Sequence, residues 1–287
     1  MIQRNHDTSI QRLHMKKEKK RKKWPLLLVI PILIIYFIGC VQEPVDSLNE
    51  SPIIPVAENT VFILELNNSY SNITEALEVI HEGQTLLIGP GVYTKPIILE
   101  KSITMKAADP LDRPVFLLES RNYSRVMITI NASHCTLEHI IVKGTGFSNQ
   151  DNITTGILIQ SSNNEIEQVT IRQFFYGLSL QVYTNDNSIT QSRFTNNTDG
   201  IELIFSLSNT ITNNIFENNT RFGLYVGYHA QYNQIQDNVF NMNHEAIRLY
   251  GSSQNTVSFN DLYKNTYGIE ECCGAIGNTI KNNRIRQ

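Results

Sequence analysis

The second half of the chain repeats every 22–24 residues, and this period limits the available folds more than any other feature. An asparagine begins each copy, and apolar residues follow it two and seven positions later. The asparagines are Asn164, Asn187, Asn209, Asn233, Asn255 and Asn278. A period of this length is typical of solenoids, in which each repeat forms one coil and buries its apolar residues against its neighbours.

Each copy also contains a short segment in which apolar and variable residues alternate. These segments cover residues 177–180, 200–203, 223–226 and 246–249. A period of two predicts strands with one buried face. The same spacing does not place the apolar residues on one face of a helix. We therefore predict an all-β fold, a right-handed parallel β-helix whose coils stack as parallel strands.

Two further asparagine columns keep the same period. Asparagine tolerates the left-handed backbone of a tight corner, and its amide can bond to the amide one coil away. We interpret both columns as structural ladders. Their members are Asn214, Asn238, Asn260 and Asn283 in one, and Asn197, Asn219, Asn243 and Asn265 in the other.

The residues before the regular repeats predict a cap and several less regular coils. Apolar residues at helical spacing (Ala76, Leu77, Val79 and Ile80) predict a helix over 71–81 that ends near Gly83 and covers the first coil. Strands are predicted at 85–91, 97–107, 115–118 and 126–130, and an inserted loop at 144–155.

The N-terminus has the layout of an export segment. Residues 1–23 hold nine Lys/Arg against two acidic residues, and an uncharged apolar run of about 16 residues follows, short for a spanning helix. Cys40 follows Phe37, Ile38 and Gly39 in a pattern that resembles a lipobox, so Cys40 is a candidate for lipidation. A retained signal anchor fits equally well, and both alternatives predict an extracytoplasmic, membrane-anchored protein.

The predicted organisation is a basic cytoplasmic segment (1–23), a hydrophobic segment (24–40), a linker rich in proline and polar residues (41–59) and a β-helix domain (60–287). Residues after position 23 carry 15 Lys/Arg and 25 Asp/Glu. Such an acidic body repels phosphate rather than releasing its counterions, so nucleic acid is excluded as a partner.

Three N-terminal segments and the repeats together point to known families. NITEAL (72–77), GQTLLIGPGVY (83–93) and ILEKSITM (98–105) resemble the opening of pectin-lyase-like β-helix proteins. The asparagine repeats resemble the NosD-type β-helix domain, which is labelled periplasmic copper-binding. The resemblance covers about residues 60–287 and implies the fold, but such coils carry enzymes, adhesins and accessory proteins alike.

The candidate functional residues lie on one outward column, two positions after the strand glycine. Neighbours in such a column are about 5 Å apart, so they can line a shallow sugar-binding groove, or form a solvated ladder in which Arg248 pairs with Glu270. We prefer the ladder. The column contains Ser179, Glu202, Tyr225, Arg248 and Glu270, with Asp199, Glu245, Tyr228, His229 and Tyr250 nearby.

The preferred functional hypothesis is a surface or accessory protein that binds cell-surface glycan or a partner protein through Tyr225, Arg248, Tyr228 and Tyr250. The alternative is a polysaccharide lyase or glycoside hydrolase for acidic polysaccharide, with Glu202, Asp199 and Glu270 as catalytic groups. Residues 197–200 (Asn-Thr-Asp-Gly) match one polygalacturonase motif, but the accompanying motifs, and the Asp-Pro-His-Asp of alginate epimerases, are missing from the sequence. We therefore interpret Asp199 as a corner residue.

No cofactor is identified from the sequence. Copper needs clustered soft ligands. Two groups of potential ligands occur, Met242/His244 and His134/Cys135/His139, and neither repeats along a column. Calcium likewise lacks a ligand cluster. Cys272 and Cys273 are predicted to be two buried thiols, with a strained vicinal disulfide as the alternative.

Glu271 breaks the apolar inner column, whose other members are Ile159, Leu180, Leu203, Val226 and Leu249. A buried unpaired carboxylate is costly, so either its pKa rises or its coil is open to water. We prefer an open coil, whose edge could also pair with a partner chain.

Overall fold

The computed structural model describes residues 54–119, 124–146 and 153–286, all of which belong to one compact unit. These residues form a parallel β-helix with three sheets along its length, which confirms the predicted fold. The predicted export segment, with Cys40, lies outside the described residues, as do most of the linker and residues 147–152 of the predicted loop. Within the described ranges, no helix has the length and apolar character needed to cross a membrane.

The first sheet begins with an antiparallel hairpin that the repeat pattern did not predict, and continues with parallel strands. In spatial order its described strands are Asn68–Tyr70, Val61–Ile63, Thr85–Ile88, Thr104–Ala107, Thr136–Glu138, Glu165–Glu167, Ser188–Thr190, Thr210–Thr212, Gln234–Gln236, Thr256–Ser258 and Thr279–Lys281.

The second and third sheets take one strand from each coil. The second contains Val92–Tyr93, Val115–Leu117, Ile141–Lys143, Thr170–Arg172, Arg193–Thr195, Ile215–Glu217, Val239–Asn241, Asp261–Tyr263 and Arg284–Arg286. The third contains Ile97–Leu99, Val126–Ile130, Thr155–Ile159, Tyr176–Leu180, Asp199–Leu203, Phe222–Val226, Glu245–Tyr250 and Tyr267–Cys272.

Stacked apolar columns fill the space between the sheets. The ring centroids of Phe194 and Phe216 are 5.1 Å apart, and those of Phe216 and Phe240 are 4.5 Å apart, with nearly parallel planes. Since each coil places the same side chain above its neighbour, the period read from the sequence sets the packing of the core.

The predicted asparagine ladders are present and buried. Asn214, for example, donates Nδ2 to Oδ1 of Asn238 (3.1 Å). The asparagines that begin each repeat form a third ladder, in which Asn209 donates Nδ2 to Oδ1 of Asn233 (3.0 Å) and Asn233 donates in the same way to Asn255 (2.9 Å). The same Oδ1 atoms also accept a backbone N–H from the preceding coil. Each amide therefore satisfies main-chain groups that the corners would otherwise leave unpaired.

The predicted helix is shorter than its sequence signal and runs from Ile73 to Val79, with Asn72 as its N-cap. Its buried residues, Ile73 and Ala76, and the following Ile80 join the core, as the capping role requires. Val79 was placed on the apolar face, but it lies at the edge of that face and is 43% exposed.

The segment 97–107 was predicted as strand throughout, but a corner divides it into Ile97–Leu99 and Thr104–Ala107. Lys101 in this corner donates Nζ to the carbonyl oxygens of Leu77, Glu78 and Ile80. Its charge thus neutralises the carbonyl end of the helix.

Glu271 lies in the inner-column register beside Leu249, and it is exposed. Its Oε1 accepts a hydrogen bond of 2.9 Å from Nδ2 of Asn278. The exposure of Glu271 agrees with the open-coil prediction, and the amide of Asn278 is a hydrogen-bond partner of its carboxylate.

Candidate binding face on the third sheet

The outward column of the third sheet has the predicted register. Parallel pairing aligns Ser179 with Glu202, Glu202 with Tyr225, Tyr225 with Arg248, and Arg248 with Glu270. A second outward column lies three residues earlier on each strand. It contains Tyr176, Asp199, Phe222, Glu245 and Tyr267.

Asp199 is the first residue of its strand and is fully buried, which corrects its prediction as a corner residue. Arg221, one coil later, donates Nε to Oδ1 of Asp199 (2.8 Å) and Nη2 to Oδ2. Burial raises the pKa of Asp199, while Arg221 opposes that shift. The carboxylate is thus held by a bidentate pair and is not available to a substrate.

Arg221 was not among the predicted site residues. Its guanidinium carbon lies 5.2 Å from the ring centroid of Phe175 and 5.0 Å from that of Phe222, so two aromatic rings flank the ion pair. The signal was present in the sequence, because Arg221 stands 22 residues after Asp199, one coil away.

Glu202 is only 8% exposed, although it belongs to an outward column. Its Oε2 accepts a hydrogen bond of 3.1 Å from Oγ of Ser179, and Tyr176 also donates to the carboxyl group. Burial raises the pKa of Glu202 to about 7. The predicted solvated ladder is therefore wrong for Glu202, because neighbouring coils place large side chains beside it.

Arg248 contacts three side chains: the carboxylates of Glu245 and Glu270, and the thiol of Cys272. It donates Nε and Nη2 to the buried carboxylate of Glu245 (2.6 and 2.5 Å), and Nη2 lies 3.1 Å from Oε2 of Glu270. The predicted pair with Glu270 is confirmed, but Glu245 is the bidentate partner. Both carboxyl columns thus have their charges largely balanced by arginine.

Aromatic side chains continue from these columns to the corner after the third sheet. Tyr228 and Tyr250 pack edge to face with centroids 4.8 Å apart, and their hydroxyl oxygens are 3.0 Å apart. The ring centroid of Tyr225 lies 6.1 Å from that of Tyr250, so the three predicted tyrosines lie close together. His229, predicted nearby, lies 5.2 Å from Phe205, measured between ring centroids.

The stripe extends further along the solenoid than the sequence analysis indicated. Tyr183 (78% exposed) and Phe205 (38% exposed) occupy the corresponding corner in earlier coils. We call the whole surface the aromatic–arginine face. It consists of Tyr176, Tyr183, Phe205, Arg221, Phe222, Tyr225, Tyr228, Arg248 and Tyr250.

Cys272 is the last residue of the final described third-sheet strand, and Cys273 begins the corner that follows it, at the end of this face. The prediction of two buried thiols is wrong, because Cys272 is half-buried and Cys273 is exposed. Their Sγ atoms are 3.0 Å apart, and Sγ of Cys272 also accepts a hydrogen bond of 3.4 Å from Nη1 of Arg248.

The residues that the structure describes do not make a copper site. Across the described ranges, no three His, Cys, Asp or Glu side chains come together closely enough to hold a metal ion. The ring of His244 packs against Tyr267, and Met242 is an exposed corner residue. The two thiols have a guanidinium as their neighbour, which repels a cation.

Two surface depressions of about 430 and 470 Å³ lie elsewhere on the molecule. The first surrounds Arg113, whose guanidinium donates to the carbonyl oxygens of His139, Ile140 and Gln168 and is therefore structural. The second lies at the N-terminal end, beside Asn72 and Lys95. Neither contains Asp199, Glu202 or Glu270.

A family model matches most of the β-helix. The model for NosD, described as periplasmic copper-binding protein, matches residues 117–287, more than half of the chain. No curated protein matches the sequence.

Solved structures with a similar fold include an alginate lyase and an epimerase module, at very low sequence identity. An alginate lyase from Paenibacillus is 12% identical with a TM-score of 0.60, covering 74% of this chain and 94% of that one. A mannuronan C-5 epimerase A-module from Azotobacter vinelandii is 11% identical with a TM-score of 0.53, covering 70% of this chain and 57% of that one. This chain thus spans little more than half of the epimerase module, and these likenesses show the fold alone.

Proposed function

The chain belongs to the NosD family of extracytoplasmic β-helix proteins, and we propose that it is a non-catalytic surface or accessory protein that binds glycan along the aromatic–arginine face. The observation that carries the proposal is an aromatic stripe at the end of the third-sheet strand in four successive coils: Tyr183, Phe205 and Tyr228 are exposed, and Tyr250 is half-buried. Coils rise by roughly 5 Å, close to the length of one sugar unit in an extended chain. Aromatic rings offer sugars an apolar surface, and tyrosine adds a hydroxyl.

The charge of the face favours a neutral glycan. Arg221 and Arg248 are already paired with Asp199, Glu245 and Glu270, so no guanidinium is left without a carboxylate. The body of the protein is also acidic, with 25 Asp/Glu against 15 Lys/Arg after residue 23. An anionic polysaccharide would meet repulsion, whereas sugar hydroxyls can donate to the carboxylate oxygens.

The enzyme hypothesis has one feature in its favour, because burial raises the pKa of Glu202 to about 7. Catalysis also needs access, and Glu202 has only 8% of its surface exposed. Asp199 is fully buried and bound to Arg221, so it cannot serve as the second carboxylate. These contacts support binding over hydrolysis or elimination.

We also propose that the protein is held at the membrane by residues 24–40. The basic and then apolar sequence of residues 1–39 supports this, with lipidated Cys40 and a retained anchor as the two forms. Metabolic labelling with a fatty acid separates them. Lipidation predicts label that Cys40→Ser abolishes, whereas a retained anchor predicts an unlabelled protein that stays in the membrane fraction.

A glycan array of neutral and anionic sugars tests the binding proposal on the full chain. We expect binding to neutral glycans that changes little with salt and falls at least tenfold in Tyr228→Ala and Tyr183→Ala. Tyr263→Ala is the matched control, because Tyr263 is an exposed tyrosine of the second sheet.

Three results would contradict the proposal. These are equal losses in Tyr263→Ala, capture of a protein partner with no glycan bound, and turnover of an acidic polysaccharide that Glu202→Gln abolishes. The last would favour the enzyme.

A further inference from the structure

The Cys272–Cys273 pair combines three properties that the proposed glycan binding does not use. The two sulfurs are adjacent in sequence and 3.0 Å apart in space. Cys273 is exposed, so small reagents can reach it. Both sulfurs contact the aromatic–arginine face, Cys272 through Arg248 and Cys273 through the Tyr250 hydroxyl.

The backbone at the pair forms a tight turn. Cys273 has φ of 60° and Gly274 has φ of 91°, and the carbonyl oxygen of Cys272 accepts a hydrogen bond of 3.1 Å from the amide of Ala275. This turn brings both side chains to the same side of the chain, which neighbouring residues of a regular strand cannot do. The sulfurs are therefore already placed for reaction with each other.

We propose that Cys272 and Cys273 form a redox-active vicinal pair, which closes to a disulfide by exchange with a small disulfide and thereby withdraws its sulfur contacts from Arg248 and Tyr250. The extracytoplasmic location is one in which disulfides form and persist. Consecutive Cα atoms are roughly 3.8 Å apart, less than the 4.4 Å or more of ordinary disulfides, so the bond is strained and easily reduced.

The reaction balances without a metal. The exposed Cys273 loses its proton, and its sulfur attacks one sulfur of the small disulfide RSSR, from which one RS⁻ leaves. Cys272 then loses its proton and attacks the Cys273 sulfur, and the second RS⁻ leaves. Two protein thiols and one RSSR thus give one vicinal disulfide and two RSH, with two electrons passing from the cysteines to RSSR.

The dithiol and disulfide forms differ in their contacts. In the dithiol, Cys273 donates to Cys272 and Arg248 donates to the same sulfur. The hydrogen bond between the cysteines raises the pKa of Cys273. We therefore expect the rate of exchange to keep increasing at pH values where an ordinary thiol is already fully ionised. Closure of the ring removes the contacts that stabilise the dithiol, and the face loses two anchoring points.

The test equilibrates the full chain in mixtures of reduced and oxidised glutathione, followed by acid quenching, alkylation, trypsin and mass spectrometry. Cleavage after Lys264 and Lys281 leaves both cysteines in one peptide. We expect this peptide to lose the mass of two hydrogens in oxidising mixtures, and to regain it on reduction. Cys135→Ser should not change the result, because Cys135 is buried in the core.

The coupling to the face has its own readout in the same titration. If Arg248 and Tyr250 stabilise the dithiol, then Arg248→Lys and Tyr250→Phe should form the disulfide at an oxidised-to-reduced glutathione ratio about 3- to 10-fold lower. Tyr225→Phe is the control, because the Tyr225 hydroxyl makes no hydrogen bond to either sulfur among the contacts described.

Two results would overturn the proposal. Alkylated thiols in every mixture, or only glutathione adducts and cross-linked chains, would exclude the vicinal disulfide. A disulfide that forms at the same ratio in all variants would exclude the coupling. No step of this test uses a glycan, so its failure is distinct from failure of the proposed function.

Discussion

Arg221 reaches back one coil and donates two hydrogen bonds to Asp199, a carboxylate with no exposed surface on the outward side of the solenoid. An outward side chain in a β-helix normally contacts water. Here the aromatic rings of Phe175 and Phe222 lie beside the guanidinium and help to exclude water from the pair. Asp199 has no exposed surface, whereas the Arg221 side chain is 42% exposed, so the pair is buried only on its carboxylate side.

Removal of Arg221 should destabilise the protein. In Arg221→Ala the buried Asp199 loses its partner, and we expect the free energy of unfolding to fall by about 1–3 kcal/mol, because loss of the half-exposed Arg221 side chain lets water reach the carboxylate. Asp199→Asn combined with Arg221→Ala should recover part of the loss, because no buried charge remains. Denaturant unfolding at neutral pH measures this. The control is Arg193→Ala, which breaks the exposed pair with Glu217 and should cost less than about 1 kcal/mol; equal costs would show that Asp199 is hydrated.

Glu202 should make stability depend on pH. Its folded pKa of about 7 exceeds the ordinary 4.5, so the folded protein keeps a proton that the unfolded chain releases. The favourable contribution of the protonated carboxyl is complete below pH 4.5 and is lost as the pH rises to about 7.

Glu202→Gln should accordingly match the wild type at pH 4.5 and become more stable by about 3 kcal/mol above pH 7. Denaturant unfolding at a series of pH values checks this. An advantage of Glu202→Gln that stays constant across pH would mean that Glu202 is charged at every pH tested.

Each single asparagine of a ladder should contribute strongly to the stability of the protein. In Asn233→Ala the backbone N–H of Asn209 loses its acceptor and the carbonyl oxygen of Ser206 loses a donor. We expect a loss of about 2–4 kcal/mol, since both groups are buried. Gln234→Ala, at the exposed neighbouring residue, should change stability by less than about 0.5 kcal/mol. Similar effects at both positions would argue that water replaces the amide.

Two glycine substitutions should separate the binding face from the fold. A Cβ at Gly227 would overlap the ring of Tyr225, a side chain that can move, whereas a Cβ at Gly200 would overlap the backbone oxygen of Gly223. We expect Gly227→Ala to retain the thermal midpoint but weaken glycan binding several-fold. Gly200→Ala should lower the stability by about 1–3 kcal/mol. If Gly227→Ala binds glycan normally, Tyr225 is not part of the binding surface.

The repeat determined the fold, because each coil adds its residues directly above those of the last. Once the period was known, the register followed for Ser179, Glu202, Tyr225, Arg248 and Glu270, and so did the asparagine ladders. The hairpin formed by Val61–Ile63 and Asn68–Tyr70 was not predicted, because it lies before the first repeat and carries no periodic signal.

The sequence alone thus determined which residues share a column and which column faces outward, because both follow from a one-dimensional period. Only the tertiary structure decided that Asp199 and Glu202 are buried there, and that Arg221 binds Asp199. Burial on an outward face depends on the size and direction of side chains from adjacent coils. Those contacts involve the side columns and corners of several coils at once, and no single column of the repeat contains them.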